Sequence, residues 1–195
     1  MAMSALPPLA PDTSRNDWTV EQLAALPEDG NRYEVVDGEL LVSPSPSLRH
    51  QDAIGELFVL LREYARRNSL HCVVAPADVT FSPRRLVQPD LLVAPFVNGR
   101  RPSRLEEIRH LVLAVEVLSP ATARADRYVK RWLYQSEGVD EYWIVEPAAR
   151  LVERWRLGDE EPEILVESLT WNAREGGEPL VIDLVSYFRS VHGEE

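Results

Sequence analysis

Two carboxylates and one ammonium stand out in this chain because of the residues around them. Glu116 interrupts the apolar run LVLAVEVL, and Asp90 opens a second apolar run in QPDLLV. Lys130 follows Glu116 by 14 residues and is the only lysine among 21 Lys+Arg residues. Two carboxylates on neighbouring strands repel each other, and a hard divalent cation such as Mg²⁺ or Mn²⁺ would relieve that repulsion. An ammonium nearby could orient water or stabilise negative charge developing on phosphorus.

Each of these residues also has a purely structural interpretation. Glu116 could form a salt bridge with an arginine, because a lone carboxylate in an apolar strand is costly to desolvate. Asp90 could cap a helix or turn, and the proline before it favours an edge strand or a bulge. Lys130 could form an exposed ion pair with Asp126, four residues earlier on the same helical face, which would contribute about 0.3–0.5 kcal/mol. A genome biased towards arginine could also leave one lysine by chance.

Hydrophobic spacing and turn residues predict the elements that would position these side chains. Asp37-Gly38 between two short apolar runs predicts a hairpin, because a type I′ turn needs positive φ at both central residues. Helices are predicted at 18–26, 50–67 and 122–137 (with Trp132 on its apolar side), a short helix or turn at 103–110, and a last helical turn at 186–189. Strands are predicted at 72–75, 78–81, 89–94, 111–118, 141–145, 151–157, 164–171 and 181–184. This order predicts a mixed α/β fold, with a central mixed β-sheet flanked by helices and additional antiparallel strands.

Composition favours an ordinary globular protein, with 45% hydrophobic and 27% charged residues. We expect a flexible lead-in over residues 1–17 and a single domain over residues 18–195. No apolar run is long enough to span a bilayer, and the N-terminus lacks the basic start and apolar stretch of a secretory signal. The single cysteine, Cys72, cannot form an internal disulfide, so a buried thiol and a cytoplasmic location are expected.

The net charge of −11 argues at first against a nucleic-acid partner, but the charge is unevenly distributed. Residues 137–195 hold 15 acids and 5 arginines, whereas residues 100–131 hold 8 basic and 4 acidic groups. A local basic patch can contact phosphate even when the whole chain is acidic. The candidate phosphate contacts are six of the seven arginines in this stretch: Arg100, Arg101, Arg104, Arg124, Arg127 and Arg131.

Several ordered blocks of this sequence resemble one protein family. They are YEVVDGEL, SPSPSLRHQ, QPDLL, VEVLSPAT, the pattern D-x-x-x-K-x-x-x-Y of Asp126, Lys130 and Tyr134, and GVDEYWIVEP. These blocks resemble the Uma2 family (DUF820) of the restriction-endonuclease-like, PD-(D/E)xK nuclease superfamily, and the resemblance runs from about residue 18 to residue 188. The resemblance implies a restriction-endonuclease-like core and a phosphodiesterase that depends on Mg²⁺ or Mn²⁺. Its expected partners are nucleic acid, first of all DNA, and a second copy of the chain in a homodimer.

The same resemblance implies roles for the three residues above. Asp90 would be the aspartate of the motif and Glu116 its second acid, and both would hold the metal. The superfamily's lysine would fall at position 118, where this chain has leucine. The chain is therefore similar to variants in which a helix supplies that charge, which makes Lys130 the candidate and Asp126 the residue that would orient it.

Three further residues are candidates for supporting roles. Glu34 and Glu39 flank the predicted hairpin, and His50 opens the first long helix. The family resemblance suggests that the N-terminal acid or His50 lines the same cleft. A solvated hairpin would equally explain Glu34 and Glu39, and capping or packing would explain His50.

The leading functional hypothesis is a metal-dependent endonuclease with Asp90, Glu116 and Lys130 as its catalytic residues. The alternative is a catalytically silent module of nuclease fold that binds nucleic acid or protein, and the acidic C-terminal third fits a protein-facing surface. A glycosidase with two carboxylates would need a cleft lined by aromatic residues. We rank it last, because the candidate tryptophans are more simply core or strand residues: Trp132, Trp143, Trp155 and Trp171.

Overall fold

Three β-sheets and four α-helices make up the part of the chain that the structure, a computed structural model, describes: residues 11–174 and 176–194. The elements in chain order are α1 (Val20–Leu23), β1 (Arg32–Val36), β2 (Glu39–Ser43), α2 (Leu48–Arg67), β3 (Leu70–Val74), β4 (Val79–Ser82), β5 (Arg85–Val87), β6 (Leu91–Pro95), a 3₁₀ turn (Leu105–Glu107), β7 (Leu113–Val117), a π-helix (Ala125–Lys130), α3 (Arg131–Ser136), β8 (Glu141–Glu146), β9 (Leu151–Arg156), β10 (Glu163–Leu165), β11 (Ser168–Trp171), β12 (Leu180–Asp183) and α4 (Leu184–His192). Most of the lead-in predicted over residues 1–17 lies outside the described residues.

The described chain divides into two compact units. The small unit comprises the residues up to Ser45 together with Thr80–Val87, and the large unit comprises Pro46–Val79 and the residues from Gln88 onward.

A four-stranded sheet, in the order β2-β1-β5-β4, forms the small unit. The hairpin predicted at Asp37-Gly38 is present, and both turn residues have positive φ, 53° and 91°. This geometry pairs β1 with β2 so that Val36 lies opposite Glu39. The apolar side chains of Trp18, Val35, Leu40 and Leu86 form the small unit's own core.

A six-stranded mixed sheet, in the order β10-β9-β8-β7-β6-β3, is the centre of the large unit. β7 pairs in parallel with β8 and antiparallel with β6, and all five of its residues are buried. A central strand with both faces covered has this continuous burial. The alternation of a strand places Leu113, Val115 and Val117 on one face, within the main hydrophobic core, and Glu116 on the other.

Helix α2 covers the core face of this sheet. Its buried residues include Ile54, Leu57 and Leu61, spaced three or four apart as in a helix with one apolar side. Helix α4 packs beside it, and the Tyr187 hydroxyl donates to the Ala53 carbonyl at 2.8 Å. None of the helices that the structure describes combines the length and apolar character needed to cross a membrane.

The fold class predicted from sequence is confirmed, but several elements differ from expectation. The helix predicted over residues 122–137 is a π-helix followed by the short α3, and Trp132 is 49% exposed instead of lying on an apolar side. The strand predicted over residues 164–171 is two strands in different sheets, and β5 was not predicted. The expectation that Asp90 lies on an edge strand or at a bulge is also wrong. β6 is an interior strand, which is possible because Pro89 precedes its hydrogen-bonded ladder.

The close contacts that Gly38 makes in the hairpin turn can be tested by substitution. A Cβ on Gly38 would overlap Arg84 Nη2 and the Asn16 carbonyl oxygen, whereas one on Gly30 would have Ser45 Oγ as its nearest neighbour at 3.6 Å. Both glycines have similar positive φ, 91° and 86°. We expect Gly38→Ala to lower the free energy of unfolding by about 1–3 kcal/mol more than Gly30→Ala, because only the former adds a steric overlap. Urea denaturation of the two variants measures the difference, and equal losses would contradict this account.

Candidate active site

Asp90 and Glu116 lie next to each other at one end of two paired strands. Leu91 of β6 pairs with Val115 of β7, so the next pair outward is residues 90 and 116. Directly opposite residues in an antiparallel pair project to the same face. The Val117 amide donates to Asp90 Oδ2 at 2.8 Å, which ties the carboxylate to β7. Both side chains are buried, with 2% exposed.

Lys130 reaches the same place from the π-helix. Its Nζ donates to Glu116 Oε1 at 3.0 Å and lies 3.6 Å from Asp126 Oδ1. Both Lys130 and Asp126 are buried, with 2% and 1% exposed. The surface ion pair that could have explained this spacing is therefore excluded. The structure brings together all three principal residues that the sequence singled out, and Asp126 as well.

The π-helix positions the side chains of Lys130 and Asp126. The Arg131 amide donates to the Asp126 carbonyl, five residues earlier, so the turn is wider than an α-helical one. The Tyr142 hydroxyl donates to the same carbonyl at 3.0 Å and anchors the turn to β8. π-Helical turns are rare in proteins, and those that occur are often at functional sites.

Tyr134 is a site residue to which the sequence argument assigned no role. Its hydroxyl donates to Glu116 Oε1 at 3.0 Å, so this oxygen accepts from both a phenol and an ammonium. The ring packs against Tyr142 with centroids 4.7 Å apart. The signal was present in the pattern D-x-x-x-K-x-x-x-Y, since residues four apart on a helix lie near one another.

His50 joins the cluster at the N-terminal end of α2. Its Nε2 lies 3.2 Å from Asp90 Oδ2, and the side chain is buried. The cap of this helix is Ser47, whose Oγ accepts from the His50 amide at 3.3 Å. The capping interpretation of the His50 side chain is therefore wrong. Its Nδ1 is buried and has no hydrogen-bond partner among the residues that the structure describes.

The two hairpin glutamates differ from each other. Glu34 is completely buried in β1 of the small unit, opposite Leu41, whereas Glu39 is exposed at the start of β2. A solvated hairpin explains Glu39 but not Glu34. A supporting role for either residue stays a prediction.

The six arginines proposed as phosphate contacts fall into four environments. Arg100 and Arg124 are exposed and have no acidic partner in the described residues, while Arg101 and Arg104 donate to His71 and Glu106. Arg131 stacks over Trp155 at 4.5 Å from the ring centroid. Arg127 is bound by two carboxylates, with Nε 2.7 Å from Glu153 Oε1 and Nη2 2.5 Å from Glu146 Oε2. The hydrogen bond to Glu153 is the main cause that raises the pKa of Arg127.

The donor set of the cluster fits a hard divalent cation. Its side chains are three carboxylates, one ammonium and one imidazole, so the cluster itself has an excess of negative charge. In the described residues, no three His, Cys, Asp or Glu side chains are grouped to hold a metal alone. Mg²⁺ does not require such a cage, because it commonly binds one or two carboxylates and completes its shell with water and substrate phosphate oxygens. Asp90 and Glu116 are the pair that could hold it.

Comparison with known proteins identifies the family of this chain and a solved structure of similar fold. Residues 20–183 match the Uma2 family, described as "Putative restriction endonuclease". No curated protein matches the chain. Among solved structures, one similar protein is a "putative nuclease belonging to DUF820" from Anabaena variabilis, with a TM-score of 0.71 and 17% sequence identity. The match covers 89% of this chain and 99% of that one.

At such low identity the likeness to the solved structure shows the fold, while the family match rests on the sequence itself and spans most of its length. The resemblance to this family that the sequence indicated is thus confirmed. The chain belongs to the Uma2 family.

Proposed function

We propose that this protein is a metal-dependent endonuclease that hydrolyses phosphodiester bonds in nucleic acid. The observation that carries the proposal is the convergence of Asp90, Glu116 and Lys130 in one buried cluster, from two strands and a π-helix. The description of the family as restriction endonucleases supports the reaction class.

Asp90 and Glu116 would hold Mg²⁺ or Mn²⁺, which when bound would offset the negative charge that develops on the phosphate. Lys130 would stabilise the same charge and hold Glu116 in place through its 3.0 Å hydrogen bond. Asp126 and Tyr134 are positioning residues, because they bind the Lys130 ammonium and the Glu116 carboxylate rather than the substrate.

His50 is suited to accept a proton in this reaction. Hydrolysis adds water to phosphorus and breaks a P–O ester bond, so one proton must leave the water and another must reach the departing oxygen. A carboxylate only accepts hydrogen bonds, so the His50 Nε2 that faces Asp90 carries a proton. In the neutral form of the ring Nδ1 is an acceptor, and we propose that it takes the proton of the attacking water once the surroundings of this buried atom move, while solvent protonates the departing oxygen.

The face of the π-helix and α3 that points to solvent supports a nucleic-acid partner. Arg124, Tyr128 and Trp132 lie four residues apart, and the two aromatic residues are 69% and 49% exposed. Aromatic side chains next to arginine stack on bases and contact phosphates. We propose DNA as the substrate and a twofold homodimer as the form that would cut both strands.

One observation favours the alternative of a silent nuclease-fold module. Lys130 is nearly inaccessible and is already bound to Glu116, with Asp126 close by, so the cluster could serve stability alone. A polymer would reach these residues only after their surroundings move. Metal binding and cleavage distinguish the two functions.

Neutralising the acids should abolish cleavage in variants that remain folded. We expect Asp90→Asn and Glu116→Gln to lower metal-dependent cleavage by about 100-fold or more, because the amides keep shape and an accepting oxygen but lose the charge that holds the cation. Lys130→Gln should show the same loss. Initial rates with Mn²⁺ and Mg²⁺ on plasmid DNA, single-stranded DNA and structured RNA give the measurement, with thermal unfolding as the check of the fold.

Glu141→Gln is the matched control for these variants. Glu141 lies at the opposite end of β8 from Glu146 and accepts from Trp143 Nε1 at 2.9 Å. Burial raises the pKa of its carboxyl group, so a neutral amide should replace it with little disturbance. We expect wild-type activity from this variant. Full activity of Asp90→Asn or Glu116→Gln on a substrate that the wild type cuts would reject the assignment.

Metal binding should be visible as thermal stability before any substrate is known. A cation that binds only the folded protein adds about 1.4 kcal/mol at ten times its Kd, which corresponds to a Tm rise of a few degrees. We expect Mn²⁺ or Mg²⁺ to raise the Tm in this saturable way and EDTA to reverse it. The Asp90→Asn protein should lose the effect, whereas Glu141→Gln should keep it.

The same titration decides between the nuclease and the silent module. A wild-type Tm that is unchanged by either cation, combined with no cleavage of any of the three substrates, would favour the module. Equal stabilisation of wild type and Asp90→Asn would place the cation elsewhere on the protein.

A further inference from the structure

A cavity of about 390 Å³ lies in the large unit away from the carboxylate cluster. Its polar lining is Arg62, Arg66, Arg101 and His71, and Leu70 and Phe96 are among its apolar lining. This is an unusual concentration of positive charge for a chain with a net charge of −11. Its size is within the range of pockets for small ligands.

The cavity is at the far end of the elements that build the candidate active site. β3 and β6 pair from Leu70 opposite Pro95 to Val74 opposite Leu91, so the cavity is at one end of the pair and Asp90 follows the other. On α2, Arg62 is 12 residues beyond His50, or about 18 Å along the helix axis. A ligand in this cavity would not compete for the carboxylates.

Within the described residues, Arg62 and Arg66 of α2 are not neutralised by neighbouring acids. Arg62 lies over the Phe58 ring at 5.6 Å, and neither it nor Arg66 has a carboxylate partner in the described part of the chain. Glu63, the nearest acid on this helix, pairs at 3.9 Å with Arg67 instead. Guanidinium groups without acidic partners around one concave surface form a site for an anion, and their planar geometry suits phosphate.

His71 supplies a further hydrogen-bond donor. Arg101 Nε donates to His71 Nε2 at 2.9 Å, so Nε2 must be the acceptor and the neutral ring carries its proton on Nδ1. Burial, together with the positive charge of Arg101, lowers the pKa of His71 and favours this neutral form. Nδ1 is buried and has no partner among the described residues. A buried donor without an acceptor is costly, and a ligand oxygen would satisfy it once the cavity lining shifts to expose Nδ1.

We infer that this cavity binds an organic phosphate of nucleotide size. The phosphate would lie among Arg62, Arg66 and Arg101, and the non-polar part of the ligand would contact Phe96 and Leu70. The neutral Cys72 thiol in the lining would not oppose an anion, because burial raises its pKa to about 12. This site does not depend on the proposed nuclease function, and either can fail while the other holds.

Isothermal titration calorimetry on the full chain tests this inference, with adenosine 5′-monophosphate, inorganic phosphate and adenosine as probes. We expect saturable binding of the nucleotide, weaker binding of phosphate and none of adenosine. The double variant Arg62→Gln/Arg66→Gln should weaken nucleotide binding by about 10-fold or more, since each arginine contributes a charge-assisted bond. Arg101→Gln should also weaken nucleotide binding. Because Arg101 lies outside α2, this variant keeps the test valid if the Arg62→Gln/Arg66→Gln protein is unstable.

Arg67→Gln and Asp90→Asn are the matched controls. Arg67 is adjacent to Arg66 but is not in the cavity lining, and Asp90 belongs to the distant cluster. Both variants should bind the nucleotide as the wild type does. Any one of four results would overturn the inference. Three of them are no nucleotide binding at millimolar concentration, nucleotide binding by the arginine variants equal to that of the wild type, and binding of adenosine equal to that of the nucleotide. The fourth is binding of a 5′-phosphorylated oligonucleotide but not of the nucleotide.

Discussion

The buried ion pair between Lys130 and Glu116 is the contact on which the large unit's polar centre depends. An ammonium removed from water is tolerated only with well-placed partners, and removing one partner of such a pair typically costs about 3–5 kcal/mol. Here one carboxylate comes from the middle of the sheet and the ammonium from the π-helix. The pair thus fixes the π-helix against β7.

The hydrogen bonds around this pair explain why so few residues build the cluster. Tyr134 holds Glu116, Asp126 lies beside Lys130, and the Val117 amide holds Asp90. Each of these partners comes from an element that is already needed for the core. The polar cluster and the hydrophobic packing are therefore parts of one arrangement, and α2 adds His50 at one end and the guanidinium groups of Arg62 and Arg66 near the other.

Sequence patterns predicted most of the sheet and the principal residues of the cluster, for identifiable physical reasons. A continuous apolar run predicts β7, an Asp-Gly pair predicts the hairpin, and a carboxylate within an apolar strand demands a partner. The π-helix could not be predicted, because periodicity assumes 3.6 residues per turn and one widened turn moves the apolar side. Trp132 was misplaced for that reason. Tyr134 was missed because its role is set by the distance of its hydroxyl from Glu116, which spacing alone does not give. The cavity lined by Arg62, Arg66 and Arg101 combines residues from α2, β3 and the loop around Arg101, and no local sequence pattern connects them.

The burial of Lys130 has a consequence for the covalent chemistry of the whole protein. Because it is the only lysine and only 2% of it is exposed, the described surface of the folded chain offers no side-chain primary amine. Acylating reagents, amine cross-linkers and enzymes that form isopeptide bonds would find a lysine only when the polar cluster opens. Modification of Lys130 would therefore report unfolding of the large unit. An acylated Lys130 has no ammonium charge, so it could not restore the ion pair with Glu116.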